Sequence, residues 1–204
     1  MTTNSAIDNY RFAAANLQSA IENYQSAVAN LQVVYDKKGA RACAAASGDV
    51  FENLIDDLIS LNPDYKSLKN DYLTVELDGN VMDNVQVDRH IRRVSDNCLR
   101  AVIESKTYLD SPFCKRAVVD FIEVCSSNQV DANTQLVVFA GQSCISQKTL
   151  NYYQAFCKKY TGRNFNLFLV NEEKKRNSKK PIYKHKFTLD EQEIVRFNNF
   201  INSL

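Results

Sequence analysis

The sequence predicts an α/β protein of the α+β type that is rich in helix, and three observations indicate this. An apolar heptad repeat runs through the start of the chain, apolar residues recur at helical spacing through its middle, and strand-like runs alternate with helical ones towards its end. Of the 204 residues, 45% are hydrophobic and 24% are charged, which is typical of a globular protein. We predict three parts: an N-terminal heptad helix with a hinge (1–46), a helical middle with a hairpin (47–130) and a basic βαββα domain (131–204).

The first element is predicted to be a helix from about Ser5 to Lys38. Proline is absent from this stretch, and Gly39 follows a lysine pair that suits a helix C-terminus. Apolar side chains occupy positions a and d of the heptad, as in a coiled coil. We therefore expect a homo-oligomer built through six residues: Tyr10, Leu17, Ile21, Tyr24, Val28 and Leu31. The same stripe also fits one arm of a helical bundle within a single chain, and the sequence leaves this alternative open.

The middle part is predicted to contain three helices and one hairpin. Ser47 is a candidate N-cap for a helix that carries apolar residues up to Ile59. Residues 72–87 alternate between apolar and polar about Asp78-Gly79, which is a hairpin turn signal. Two further helices are expected, each with apolar residues at helical spacing: Asp88 to Tyr108 and Ser111 to Cys125.

The C-terminal part is predicted to follow the order βαββα. Leu136 to Phe139 indicates a buried strand, Ser146 to Tyr160 a helix, and Phe165 to Val170 a second strand. A third strand, Ile182 to Phe187, and a last helix capped by Thr188 complete the order.

Positive charge is concentrated in the second half of the chain. Residues 1–110 hold 11 Lys and Arg against 16 Asp and Glu, whereas residues 111–204 hold 14 against 8, so the halves carry −5 and +6. Cations beside exposed rings are typical of single-stranded nucleic-acid sites, because phosphates need positive charge and unstacked bases need flat apolar partners. We predict that single-stranded nucleic acid, RNA in preference to DNA, is bound by nine residues of one segment: Lys174, Lys175, Arg176, Lys179, Lys180, Tyr183, Lys184, His185 and Lys186. The alternative is that Lys174 to Lys180 form a solvated hairpin tip.

Two short patterns are candidates for catalysis, and neither carries a prediction. Glu172-Glu173-Lys174 has the E-x-K spacing with which metal nucleases place a carboxylate and a lysine on one face, with Asp78 as a distant partner. Cys144 lies before a predicted helix, where the helix dipole would activate a thiolate, but no histidine is tied to it by spacing. Because such short patterns specify little, we predict no enzyme, no catalytic residue, no metal and no cofactor.

The remaining features complete the functional interpretation. The six cysteines form no C-x-x-C pair, so we predict reduced, mostly buried thiols. The chain lacks a secretory signal and a long apolar run, so we expect a cytoplasmic protein without a membrane partner. We interpret it as an oligomeric, non-enzymatic RNA-binding protein, and its composition suggests a viral accessory protein. The alternative is a scaffolding protein whose coiled coil builds a homo-oligomer without a nucleic-acid ligand.

Overall fold

The computed structural model describes residues 3–69, 72–77, 80–172 and 188–204. Over these residues the chain has an α+β fold with a long N-terminal helix and a mixed sheet, which confirms the predicted fold class. The elements in chain order are α1 (Thr3–Ser60), β1 (Tyr65–Lys69), β2 (Tyr72–Leu77), β3 (Asn80–Gln86), β4 (Arg89–Arg93), β5 (Leu99–Leu109), α2 (Ser111–Val124), β6 (Gln135–Ser143), α3 (Gln147–Thr161), β7 (Asn166–Leu169) and α4 (Glu191–Asn202).

Helix α1 folds back on itself at Gly39. The backbone there has φ 82° and ψ 179°, a conformation that glycine reaches without the penalty that a Cβ atom would impose. The two arms on either side run antiparallel, since the Cys43 thiol lies 3.5 Å from the carbonyl oxygen of Leu31. Ser47 lies within the second arm and is not the N-cap that the sequence predicts.

The part of the predicted heptad seam whose side chains are described, from Leu17 to Leu31, faces the core of its own chain; the side chain of Tyr10 lies outside the described ones. Ile21, Tyr24 and Leu31 are buried, and Leu17 and Val28 are partly buried against the same residues. This is the packing within one chain that the sequence leaves open as an alternative. The proposed role of these residues in self-association therefore stays a prediction.

The main sheet has five strands in the order β1-β4-β5-β6-β7. Strands β1, β4 and β5 pair antiparallel, whereas β5, β6 and β7 pair parallel. Helices α2 and α3 connect the parallel strands, and β2 and β3 form a separate antiparallel hairpin. Strand β5 of the predicted middle part thus pairs with β6 of the predicted C-terminal part. The division into three domains remains a prediction.

Two apolar cores cover the two faces of the sheet. On one face α1 and α4 pack around Phe139, whose ring centroid lies 5.2 Å from that of Phe51 and 4.7 Å from that of Phe197. On the other face lie α2, α3 and the β2–β3 hairpin. Because side chains alternate along a strand, Ile103 of β5 belongs to the α1 face and Val102 to the α2 face.

The predicted helix over residues 88–108 is wrong, because this stretch forms the antiparallel strands β4 and β5. Its apolar residues match helical spacing, but a local turn overrides that pattern. Asp96 accepts a hydrogen bond from the backbone N–H of Cys98 at 3.0 Å, and Asn97 takes a left-handed conformation with φ 58°. Short polar side chains that bond to the nearby backbone favour turns over helices.

Several other predicted elements are present. The hairpin over 72–87 is confirmed by β2 and β3, and helices α2 and α3 begin at the N-caps Asp110 and Ser146. Helix α4 is capped by Asp190 and not by Thr188. The strand predicted over 182–187 lies outside the described residues. None of the helices, over the residues described, is long and apolar enough to cross a membrane.

Candidate active site

Strand β5 places Glu104 and Lys106 side by side. Residues two apart in a strand point to the same face, and these two follow Val102 onto the α2 face. Only 4% of the Glu104 surface is exposed, which is unusual for a carboxylate. The Lys106 ammonium donates a hydrogen bond to Glu104 Oε2 at 2.8 Å. A buried acid and its cation therefore share one face of the central strand.

Asp88 brings a second carboxylate to the same ammonium. It lies directly before β4, next to the middle of β5. Its Oδ2 accepts hydrogen bonds from the Ser105 backbone N–H at 2.7 Å, the Ser105 hydroxyl at 3.1 Å and Lys106 Nζ at 3.1 Å. Two carboxylates and one lysine thus meet at one place, and we call Asp88, Glu104 and Lys106 the Lys106 cluster.

Burial has a larger effect on the charge of Glu104 than Lys106 has. It raises the pKa of Glu104 to about 7 although Lys106 acts in the opposite direction, and repulsion by Asp88 and Asp120 adds a smaller increase. Burial lowers the pKa of Lys106, but the carboxylates of Glu104 and Asp88 raise it above its ordinary value overall. The lysine therefore stays protonated at neutral pH, while Glu104 sits in a place that disfavours its charge.

A groove leads to the Lys106 cluster from the surface. Its volume is about 310 Å³, and it is lined by residues of α1, β5 and the start of α2. The lining residues are Gly48, Phe51, Glu52, Ser105, Lys106, Thr107, Tyr108 and Phe113. Phe113 is 43% exposed at its rim. Lys106 is thus accessible to a ligand, whereas Glu104 lies deeper.

On the opposite face Arg89 fixes the backbone next to Asp88. The Arg89 side chain is fully buried, and its Nε and Nη2 bind the two oxygens of Asp56 at 2.8 and 3.0 Å. Its Nη1 donates to Glu52 Oε2 at 3.2 Å and to the Asp88 carbonyl at 2.7 Å. Because a guanidinium offers a rigid fork of donors, these bonds join α1 to the strand that carries Asp88.

The residues singled out from the sequence lie elsewhere. All nine predicted nucleic-acid-binding residues, Lys174, Lys175, Arg176, Lys179, Lys180, Tyr183, Lys184, His185 and Lys186, are outside the described residues, as are Glu173 and Asp78. Glu172 is exposed after β7. Cys144 is exposed as well, and His90, the histidine that the structure describes, is fully buried. All six cysteines are free, and Cys98 is the second exposed one.

The Lys106 cluster is missing from the sequence prediction because residues 88–108 were expected to be helical. In a helix, residues two apart point to nearly opposite sides, so Glu104 and Lys106 would not meet. Glu104-Ser105-Lys106 has the same E-x-K spacing that drew attention at Glu172. The signal that could have revealed it is the Asp96-Asn97 turn, which divides the stretch into two strands.

Comparison with known proteins shows a similar fold. No protein-family model matches the chain, and no curated protein matches it in sequence. NucC from P. aeruginosa ATCC27853, in its cAAA-bound form, has a TM-score of 0.55 and 14% identity, covering 92% of this chain and 89% of its own. NucC from E. coli MS115-1, also cAAA-bound, has a TM-score of 0.53 and 14% identity, covering 92% and 88%. At this identity the likeness establishes the fold.

The comparison corrects the functional interpretation of the sequence. NucC is a nuclease, and both NucC structures are of a form with bound cAAA. The prediction of a non-enzymatic RNA-binding protein is wrong, and so is the scaffolding alternative, because it is also non-enzymatic. The interpretation as a viral accessory protein is also wrong, because the neighbours are bacterial proteins and nothing in the fold supports a viral one.

Proposed function

We propose that this protein is a nuclease that depends on a divalent cation, with Asp88, Glu104 and Lys106 as its active site. The observation that carries the proposal is the meeting of two carboxylates at Lys106 Nζ, 2.8 Å from Glu104 and 3.1 Å from Asp88. The fold shared with NucC is consistent with this proposal. Fold alone implies no function, so the proposal depends on the chemistry of the cluster. The reaction is hydrolysis: water adds across a P–O bond and leaves one phosphate monoester and one hydroxyl.

The residues of the Lys106 cluster fit a hard cation such as Mg²⁺. Carboxylate oxygens are its preferred ligands, and one or two of them suffice because Mg²⁺ keeps several waters and takes phosphate oxygens from the substrate. Within the described residues no group of three or more His, Cys, Asp or Glu side chains forms a complete cage. The raised pKa of Glu104 shows that its negative charge is insufficiently offset by Lys106. Further positive charge at Asp88 and Glu104 would relieve this.

Each residue of the cluster has a distinct role. A bound cation would supply Lewis-acid activation and a more acidic water. Asp88 and Glu104 would hold it through their carboxylate oxygens, and the bonds from Ser105 keep Asp88 in place. Lys106 retains its proton because its pKa is raised, so it donates hydrogen bonds to a phosphate oxygen and does not act as a base.

Two finer parts of the proposal concern partners. We propose a nucleic acid as the substrate, because the oxygens of its phosphates can bind a metal cation and accept a charge-assisted hydrogen bond from a lysine. Self-association also remains part of the proposal. Since the heptad seam is buried within the chain, an exposed residue of the first arm such as Val33, 47% exposed, is the better probe of it. Light scattering compares the molar mass of the particle in solution for Val33→Asp and the wild type, and a lower mass in the variant would show that an oligomer has dissociated.

The deciding experiment is cleavage of labelled DNA and RNA with Mg²⁺ or with EDTA. We expect cleavage by the wild type only with Mg²⁺, and a loss of about 100-fold or more in Lys106→Met, because its ammonium stabilises charge that develops on the phosphate. Lys66→Met, at an exposed lysine of β1, is the matched control and should cleave normally. Equal rates in Lys106→Met and the wild type would overturn the assignment.

A further inference from the structure

Helix α3 carries three aromatic rings in a row, of which two are exposed and one is half-buried. Tyr152 and Tyr160 are 62% and 54% exposed, and Phe156 lies between them. The ring centroid of Phe156 is 6.2 Å from that of Tyr152 and 4.8 Å from that of Tyr160. We call these three residues the α3 ladder. Large exposed rings in succession mark an interaction surface, because single exposed apolar residues are ordinary but contiguous ones are not.

The stretch of sequence that carries the α3 ladder is positively charged. Between Asp131 and Glu172 the chain contains no Asp or Glu, whereas it contains four cations: Lys148, Lys158, Lys159 and Arg163. Lys159 Nζ lies 5.3 Å from the centroid of the Tyr160 ring. This excess of positive charge favours a polyanion over an apolar protein surface as the occupant.

The α3 ladder lies close to the proposed active site. A groove of about 220 Å³ separates α2 from α3, and Lys115 and Val119 line it on the α2 side with Tyr152 on the α3 side. Asp120, the neighbour of Val119, acts on the charge of Glu104 and therefore faces the Lys106 cluster. A helix with its side chains is about 10–12 Å wide, so groove and active site are roughly one helix diameter apart.

A hydrogen bond between the Ser111 and Tyr153 hydroxyls, 3.0 Å apart, fixes α3 to the start of α2. Two residues further along α2, Phe113 lines the groove that contains Lys106. Phe113 thus lies at the active-site groove, and Lys115 and Val119 lie at the groove beside the α3 ladder, with α2 between them. A chain-like ligand that crosses α2 would reach both places.

We propose that the α3 ladder and the lysines beside it bind a single-stranded stretch of the nucleic-acid substrate and lead it to Lys106. The proposal rests on the proposed nuclease function. Every unpaired base offers a flat face that stacks on an aromatic ring, and its phosphates pair with lysines. In a duplex the bases stack on one another and do not expose these faces. The substrate class is therefore single-stranded nucleic acid or the unpaired part of a duplex.

The test is binding of a fluorescein-labelled oligothymidine, followed by anisotropy in EDTA with the Glu104→Gln variant as background. Tyr152→Ala should raise Kd about 5-fold to 150-fold with an unchanged salt dependence, because each lost stacking platform costs about 1–3 kcal/mol. Lys158→Ala with Lys159→Ala should lower the slope of log affinity against log salt by about 0.7 for each phosphate contact. The matched controls are Val195→Ala on the opposite face and Lys66→Ala on β1, and both should bind normally.

The outcomes separate this inference from the proposed function. Binding is measured without a cation and does not depend on cleavage. A wild type that cleaves nothing would therefore refute the proposed nuclease function, and the binding result could still be interpreted. Unchanged affinity in Tyr152→Ala, or equal affinity for duplex and single strand, would overturn the inference while cleavage by the wild type stands. A fall in mass of Tyr152→Ala by light scattering, with unchanged affinity, would show that the α3 ladder joins two copies of this chain and would also overturn it.

Discussion

Two charged clusters lie on opposite faces of the sheet beside β4, and they differ in charge balance. On the α1 face, Arg89 and Lys69 meet Glu52 and Asp56, so two positive groups face two negative ones. On the α2 face, Lys106 alone meets Asp88 and Glu104. Adjacent residues of the chain, Asp88 and Arg89, therefore belong to clusters of different kinds.

The charge balance of the two clusters distinguishes a structural role from a functional one. The Arg89 cluster is complete, since a buried guanidinium has its donors matched by carboxylates and a carbonyl. Such a cluster contributes to stability and register. The Lys106 cluster has one carboxylate in excess, and its buried Glu104 has a pKa raised to about 7. Charge left uncompensated in a groove is typical of a site that binds something, and perturbed acids collect at such sites.

The largest expected effect comes from the excess carboxylates. Glu104→Gln or Asp88→Asn should lower the rate of Mg²⁺-dependent cleavage by about 10³-fold, because losing a cation ligand removes several kcal/mol of transition-state stabilisation. Asp57→Asn on α1, one residue after Asp56, is the matched control and should cleave normally. Single-turnover cleavage measures the rates. Equal losses in all three variants would mean that Asp88 and Glu104 have no special role in cleavage.

The next effect is on stability and comes from the balanced cluster. Arg89→Met removes the main partner of Asp56 and Glu52, which are themselves partly exposed, so the free energy of unfolding should fall by about 2 kcal/mol. Lys69→Met is the control: its side chain is 44% exposed, and we expect a loss of less than about 1 kcal/mol. Urea denaturation measures both. A stable Arg89→Met would contradict the structural role of this cluster.

A third effect is a pH dependence of stability in the cation-free protein. The pKa of Glu104 is raised from 4.5 to about 7, so the folded state binds this proton more tightly than the unfolded state does. The stabilisation is therefore complete below about pH 4.5 and is lost as the pH rises to about 7, by about 3 kcal/mol. Glu104→Gln should lack this loss and exceed the wild type in Tm above pH 7. A parallel pH profile of Tm in the two proteins would disprove the raised pKa.

The smallest effect concerns the turn at Gly39, which joins the two arms of α1. Gly39→Ala should cost about 1 kcal/mol, because the positive φ strains a residue with a Cβ although no atom lies within 4 Å of it. Gly48→Ala, in the helical second arm with the same free space, should instead gain up to about 1 kcal/mol. Thermal unfolding compares them. The same sign in both variants would mean that Gly39 is not the turn of the helical hairpin.

Local signals in the sequence account for much of the fold. Helices α2 and α3 were predictable because Pro112 and Ser146 mark their starts, and the β2–β3 hairpin because apolar residues alternate on both sides of a turn. The reversal of α1 was harder to predict. Its heptad describes one apolar stripe, and a stripe does not say whether the second arm or another chain covers it.

The active site could not be predicted because its residues come together only when strands β4 and β5 pair. Glu104 and Lys106 share a face only once β5 is a strand, and Asp88 reaches them only when β4 pairs with β5. The apolar spacing of this stretch fits a helix equally well, so long-range pairing decided the outcome. The E-x-K spacing at Glu172 looks the same in sequence, yet Glu172 is exposed where Glu104 is buried.

The cation site of the Lys106 cluster is tested most simply by Mn²⁺ binding without nucleic acid, measured by the electron paramagnetic resonance signal of the free ion. We expect the wild type to bind Mn²⁺, and Glu104→Gln and Asp88→Asn to lose that binding, because both excess carboxylates are ligands. Asp56→Asn in the balanced cluster should retain it. A wild type that binds no Mn²⁺, or a Glu104→Gln variant that binds it as tightly as the wild type, would contradict the assignment of the Lys106 cluster as a cation-dependent active site.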